Sequence, residues 1–322
     1  MKIAYFDPFA GAAGDMAVGA LIDAGAPLEG IREAVLSSGL EGVELSVERV
    51  TRGGLAAARF VVGTTGHGPH RHLPDLLAMT ERAALSPRGR ERAAAVFKRL
   101  AEAEARVHGI SAEEVHFHEV GAADSIADVI GAAAALELLG VDEVASGPPA
   151  LGHDGFVTCA HGKLPVPPPA VVELLRGREF RPGLPGGEMT TPTGAALLCA
   201  LSGKFGPPPE MELGAVGCGA GSREDERLPN LLRVMVGRRA AAGDGGGEEA
   251  VLEIAATVDD ISGEVLGYLF ERLPAEGALE GSLLQQFPKD EIRLLLEPFV
   301  ALTDDGDFWS HTLDGLAVLR AR

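Results

Sequence analysis

The chain is predicted to fold as an α+β protein, from the order of its opening elements and from its glycine content. Residues 2 to 6 (KIAYF) read as a short strand, DPFAGAAGD as a Gly-rich turn, and Met16 to Ala24 as a helix closed by Gly25. VELSVERV and AARFVVGT then alternate as two strands around Arg52, Gly53 and Gly54, where paired glycines supply the positive φ of a hairpin. The order βαββ predicts a mixed αβ N-terminal domain with ferredoxin-like elements. With 43 glycines in 322 residues and an aromatic share of 5%, tight turns and close backbone packing are expected throughout.

The polar stretch GHGPHRH (66–72) leads into LPDLLAMTERAAL and a long helix from about Pro87 to Val107, stopped before Gly109. Residues 115 to 119 read as extended, and a helix runs from about Ser125 to Leu139. Residues 144 to 170 are rich in Pro and Gly, with FVTCAHGKLPVP as strand and turn before the helix AVVELLRG. GGEMTTPTGAALLCAL repeats the pattern of strand, turn and helix, and residues 211 to 237 read as strand, Gly-rich loop, strand. RRAAAGDGGGEEA (238–250) is small and polar enough for a flexible linker, dividing a domain of residues 1–237 from a short C-terminal α/β domain of residues 251–322. That second part opens with VLEIAATVDDIS, a strand running into an acidic turn, followed by a helix over residues 264 to 273.

A hydrophobic content of 46% is ample for packed cores, and a net charge of −19 predicts a surface that repels nucleic acid and anionic membranes. Cys159, Cys199 and Cys218 are odd in number and lack C-x-x-C spacing, which argues against a disulfide framework and a structural zinc site. Residues 1 to 22 have neither the basic start nor the continuous apolar run of a signal peptide, and no stretch is long enough to span a membrane. A cytoplasmic location is expected.

The segment HFHEVGAADSIADVIGA (116–132) concentrates the chemistry. If residues 115 to 119 are extended, His116 and His118 share a face, with Glu119 adjoining them, and Asp124 and Asp128 lie one helical turn apart. Imidazole and carboxylate together suit a borderline divalent ion such as nickel, zinc, iron or manganese. The same residues also serve a plainer purpose, with Asp124 capping the helix, Asp128 on its wet side and the histidines bonding a turn.

Three other loops carry candidates. DPFAGAAGD follows a strand and enters a helix, so N–H groups near Gly11 and Gly14 could wrap a phosphate, while Asp7 and Asp15 read as ligands or as turn and cap residues. In TTPTGAALL, Thr190 or Thr191 caps a helix and Thr193 and Gly194 offer a hydroxyl and N–H groups, which fits an anion site or an ordinary capped helix. His161 and Lys163 occupy a turn that is either a phosphate contact or plain surface, and GCGAG (217–221) is a close-approach loop of unassigned target. His67, His70 and His72 form a loop with low-affinity metal capacity.

Six ordered segments, YFDPFAGAAGDM (5–16), GHGPHRHL (66–73), VHFHEVGAADSIADVIGAA (115–133), CAHGKLPVPPPAVVELL (159–175), GEMTTPTGAALL (187–198) and GCGAGSREDERLPNLLRV (217–234), together resemble the LarC family of nickel insertion proteins. The resemblance continues more weakly through residues 258 to 279. It implies a CTP-dependent, lyase-class chelatase that places Ni(II) in pyridinium-3,5-bisthiocarboxylic acid mononucleotide through two nickel–sulfur bonds and one nickel–carbon bond. The product would serve lactate racemase and related enzymes, and CTP would act with Mn or Mg.

By the same resemblance, metal binding or catalysis falls on His116, His118, Glu119, Asp124 and Asp128, with His67, His70 and His72 as a thinned histidine tract suited only to weak nickel storage. Substrate phosphate falls near Thr191, Thr193 and Gly194, with Gly11 and Gly14 as further phosphate candidates and Asp7, Asp15, His161 and Lys163 as other site candidates. The implied partners are the nucleotide precursor and the recipient enzymes, not nucleic acid or membrane, and a homo-oligomer is left open. After Leu279 the family's basic M-K-K and R-P-G stretch is not recognisable in GSLLQQFPKDEIRLLLEPFV, in the region where the family binds CTP. A truncated form that carries nickel without finishing the reaction is therefore an alternative, and a metal-dependent phosphohydrolase using Asp7, Asp15 and the H-x-H-E segment is a third reading.

Overall fold

The computed structural model describes residues 1–65, 71–115, 117, 122–159, 162–239, 254–258, 268, 272, 278–285 and 292–298. The chain divides into two compact units, Met1–Ala241 and Ala242–Arg322. The first unit begins β1 (Lys2–Asp7), α1 (Gly14–Asp23), α2 (Leu28–Ser37), β2 (Val43–Arg52), β3 (Leu55–Thr64), α3 (Leu73–Arg82), α4 (Pro87–His108) and α5 (Ala123–Leu138). It continues β4 (Glu143–Ser146), β5 (Ala150–His153), β6 (Phe156–Cys159), β7 (Gly162–Pro165), α6 (Pro169–Leu174), β8 (Arg181–Pro185), α7 (Pro192–Leu201), β9 (Ser202–Phe205), β10 (Glu212–Ala220) and β11 (Leu231–Arg238). The α+β class is thus borne out.

Seven strands form one mixed sheet in the order β2-β3-β10-β11-β1-β4-β9. Strand β1 is interior, parallel to β4 and antiparallel to β11, and its residues Ile3 to Phe6 are all buried, as a strand covered on both faces requires. The hairpin β2–β3 turns at Gly53 and Gly54 with φ of 54° and 81°, as its sequence predicts. The opening βαββ order forms, but β10 and β11 lie between the hairpin and β1, so these strands do not make a four-stranded ferredoxin-like sheet. The reason is long-range pairing: β11 takes the edge of β1 that a ferredoxin-like arrangement would give to the hairpin.

Helix α1 packs against β3, β10 and β11 and also against α5. Close approach to β10 is possible because Gly217 and Gly219 present no side chain; a Cβ at Gly219 would collide with the Met16 carbonyl, and one at Gly217 with that of Ala20. Helices α1 and α5 each begin two residues before their expected starts, and α2 was not anticipated. The predicted strand FVTCAHGKLPVP is an antiparallel hairpin, β6–β7, with residues 160 and 161 outside the described residues.

The long helix α4 starts at Ser86, whose hydroxyl accepts the Gly89 N–H (3.2 Å) and donates to Glu137 Oε2 of α5 (2.6 Å). It ends at Gly109 with φ 67°. Ser86→Ala removes both the cap and this link, and is expected to cost about 1 kcal/mol, a fall in Tm of roughly 2–4 °C. Thermal denaturation checks it, and an unchanged midpoint would mean that the cap carries no stability.

In the second unit, β12 (Ile254–Val258), β13 (Ala278–Gln285) and β14 (Ile292–Pro298) pair antiparallel in the order β12-β14-β13. Residues 240–250 of the predicted linker, the acidic turn after Val258, and the predicted helix of residues 264–273, apart from the helical Tyr268 and Arg272, lie outside the described residues. Among the described residues no helix is long and apolar enough to cross a membrane.

Candidate functional site

A cavity of about 700 Å³ opens where the starts of three helices meet the sheet. Its wall comes from Ala13 to Met16 at the head of α1, Asp124, Ser125 and Asp128 of α5, and Thr191 to Thr193 at the head of α7. Residues 59–62 of β3, 157–159 of β6, the loop bearing Gly221 to Arg223 and Asn230, and the acids Glu104 and Glu188 also line it.

Asp128 is its least ordinary group. Helix α1 has Ala13 at its N-cap, with no side chain to bond the first turn, and Gly14 lacks the Cβ that would collide with the Asp128 carboxylate. The carboxylate of α5 thus approaches the positive end of α1. Only 8% exposed, Asp128 is pushed well above the usual carboxylate range by burial first and then by the negative charges of Asp15 and Asp124; the Asp15 N–H pulls the other way. Its Oδ1 is buried and has no hydrogen-bond partner. Asp15 is raised too, chiefly by burial, while the Met16 N–H (2.8 Å) and the charge of Arg59 oppose the shift.

Like charges gathered in a partly dry cavity are unfavourable unless protons or a cation neutralise them. The described carboxylates do not form a complete cage, since among the described residues no group of three or more His, Cys, Asp or Glu side chains is placed to hold a metal ion. A cation here would draw further donors from elsewhere.

At the head of α7, Thr191 Oγ1 accepts the Gly194 N–H (3.2 Å), and Thr193 Oγ1 lies 3.4 Å from Ser125 Oγ of α5. Gly194 and Gly11 are positions of close approach: a Cβ on Gly194 would strike the Ala12 carbonyl, and one on Gly11, at φ 93°, the Met189 carbonyl. The Thr191 N–H closes the junction on Ala12 O at 2.9 Å. The loop after β1 is therefore packed onto α7, and Thr191, Thr193 and Ser125 line the cavity beside it.

The other sequence candidates fall as follows. Asp15, Asp124, Asp128, Thr191 and Thr193 share the cavity, together with Gly14. Asp7 is paired with Arg233 (2.5 Å), and Lys163 is exposed on β7. His72 caps α3, its Nδ1 3.1 Å from the Val115 carbonyl, and the Phe117 N–H donates to Arg71 O at 3.3 Å. The end of the histidine loop is thus joined to the segment before α5. His67, His70, His116, His118, Glu119 and His161 lie outside the described residues. Arg59, Ser125 and Arg223, which no sequence motif singles out as site residues, line the cavity too, as does Cys159. Arg59 is a lone cation in an alternating strand and Arg223 one member of the charged run REDER, so neither carries a spacing signal.

The mixed α+β unit thus brings three aspartates, one of them buried, and the threonines at the head of α7 to the wall of one cavity. Residues 4–290 match the model of the family described as nickel insertion protein, and the chain belongs to that family. The pyridinium-3,5-bisthiocarboxylic acid mononucleotide nickel insertion protein of Geobacillus kaustophilus is 41% identical over 296 residues, covering 87% of this chain and 72% of the relative. Relatives from Geotalea uraniireducens (50% over 282 residues, 87% of this chain and 71% of theirs) and Geobacter sulfurreducens (50% over 285 residues, 88% and 72%) share the nickel insertion description. No solved structure matches the chain.

Proposed function

We propose that this protein inserts Ni(II) into pyridinium-3,5-bisthiocarboxylic acid mononucleotide, as a CTP-dependent lyase-class chelatase. The observation that carries the reading is the buried Asp128 carboxylate, one oxygen of it unpartnered, in a cavity also lined by Thr191, Thr193 and Ser125; a carboxylate suits nickel, and hydroxyls at a helix start suit an anion. Nickel is the substrate here, and oxygen and nitrogen donors suit it because they hold a borderline ion yet yield it to sulfur.

In this reading, residues 1–237 hold metal and substrate. Asp124 and Asp128 act on nickel together with His116, His118 and Glu119, and the loop of His67, His70 and His72 gathers it. The Arg71–Phe117 bridge supports that division, because it lays the loop's end beside the segment leading to α5. Thr191 and Thr193, backed by the close packing at Gly194, Gly11 and Gly14, receive the substrate phosphate. CTP with Mn or Mg belongs to residues 251–322, and the product passes to nickel-pincer enzymes in the cytoplasm, where the three free cysteines stay reduced.

Asp124→Ala and His116→Ala are each expected to weaken nickel binding about tenfold or more, since even partners of metal ligands are worth 10–100-fold. Calorimetric titration of the full chain with Ni(II), then with CTP and Mn or Mg, checks both this and the function. Binding of nickel and CTP supports the chelatase. Nickel without CTP would make the protein a carrier, and binding of neither would overturn the reading.

A further inference from the structure

We propose that Arg223 binds the phosphate of the mononucleotide substrate, on a loop built by Arg52 and Asn230 to present it; the proposal rests on the substrate reading above. A phosphate monoester carries close to two negative charges at neutral pH, and this cavity is already lined by Asp15, Asp124, Asp128, Glu104 and Glu188. The head of α7 offers hydroxyls and roughly half a positive charge, against close to two negative charges on the phosphate. A guanidinium is needed, and the lining provides Arg59 and Arg223. Arg59 is engaged with Glu48 at 3.2 Å across the hairpin and counters the charge of Asp15.

Arg223 is presented by a rigid support. Arg52, a cation only 9% exposed, donates from Nη2 to Gly221 O (3.2 Å) and from Nη1 to Glu224 Oε1 (3.1 Å), bracketing Ser222 and Arg223. Asn230 donates from Nδ2 to the Arg223 carbonyl at 3.0 Å, and its own carbonyl accepts the Gly221 N–H at 3.1 Å. Gly221 has no side chain because Asn230 fills that space. Gly187 also leaves room for the guanidinium, since a Cβ there would stand 3.0 Å from Arg223 Nη1. The neighbouring Asp225 is held chiefly by Arg227, whose hydrogen bonds bring the pKa of its carboxyl down to about 2, with the charge of Arg223 a smaller contribution. A buried arginine committed to a backbone carbonyl is costly, and here it fixes the loop that carries a second arginine to the cavity wall. The GCGAG segment leading into this loop thereby gains a purpose.

The test uses the full chain and calorimetry with three probes: nicotinic acid mononucleotide, its dephosphorylated riboside, and CTP. Wild type is expected to bind the mononucleotide more tightly than the riboside. Arg223→Ala should lose about tenfold or more for the mononucleotide alone, the size of one charge-assisted contact. Arg223→Lys should lose less, keeping the charge without the fork. Arg52→Lys, unable to bridge Gly221 and Glu224, should show the same mononucleotide-only loss. Unchanged mononucleotide affinity in Arg223→Ala, an equal loss for the riboside, or a loss confined to CTP would overturn the proposal. Failure of wild type to bind the mononucleotide would overturn the substrate reading itself. Should Arg223→Ala fail to fold, Arg223→Lys decides by the same comparison.

Discussion

Asp128→Asn is expected to raise the Tm of the metal-free protein at neutral pH while lowering its nickel affinity by about tenfold or more. The carboxylate is buried, approaches two other acids and leaves one oxygen unpartnered, so its ionised form is costly in the apo fold. An amide of the same shape removes that charge, and a gain of about 1 kcal/mol corresponds to roughly 2–4 °C in a unit of this size. The sign with pH follows from the raised folded pKa. The stabilising effect of protonating Asp128 is fully present below the unfolded value of 3.8 and is lost as pH rises through the higher folded value. The advantage of Asn over Asp should therefore shrink as pH falls from neutral, with Asp15 shifting the wild type in the same direction. Melting curves in chelator at neutral and acid pH, with nickel calorimetry, test both halves. A lower Tm for the variant at neutral pH would mean that Asp128 has a stabilising partner.

Gly219→Val should be the most damaging single change for the fold. Any Cβ at this position meets the Met16 carbonyl and lies 2.6 Å from the Ala20 N, both backbone atoms of α1, so no rotamer relieves the clash. The helix must lift from β10, at a cost of about 3 kcal/mol or more. Because the first turn of α1 carries Gly14 and Asp15 to the cavity, nickel affinity should fall with stability. Gly203→Ala is the control: a Cβ there meets nothing within 4 Å, and its effect should stay within about 0.5 kcal/mol. Denaturant unfolding of the pair checks this, and equal midpoints would show that the α1–β10 approach is not rigid.

Local pattern accounts for what could be read in advance. The hairpin at Gly53–Gly54, the stop of α4 at Gly109 and the cap at Thr191 are each written in a few adjacent residues. Helix α2 was missed because only Ile31, Ala34 and Val35 of its residues are buried, a thin apolar stripe. Strands β4, β5 and β9, four residues each, are too short to show alternation. The place of β11 beside β1 pairs residues more than 220 positions apart, and no periodicity encodes it.

The same division holds at the site. Asp124 and Asp128 were readable from helical spacing, and Thr191 and Thr193 from cap chemistry. That both pairs meet Asp15, Arg59 and Arg223 in one cavity depends on the packing of α1, α5 and α7. Asp7 shows the converse, since its place after a strand has the form of a ligand position, yet Arg233 of β11 takes it.

Incubation of the full chain with Ni(II), CTP, Mn or Mg and pyridinium-3,5-bisthiocarboxylic acid mononucleotide, with the small molecule followed by mass spectrometry, decides between chelatase and carrier. A chelatase converts the precursor to a nickel-bearing product only when CTP is present, and Asp128→Asn is expected to form less of it. Nickel-loaded protein beside unchanged precursor, with CTP present, would contradict the chelatase reading.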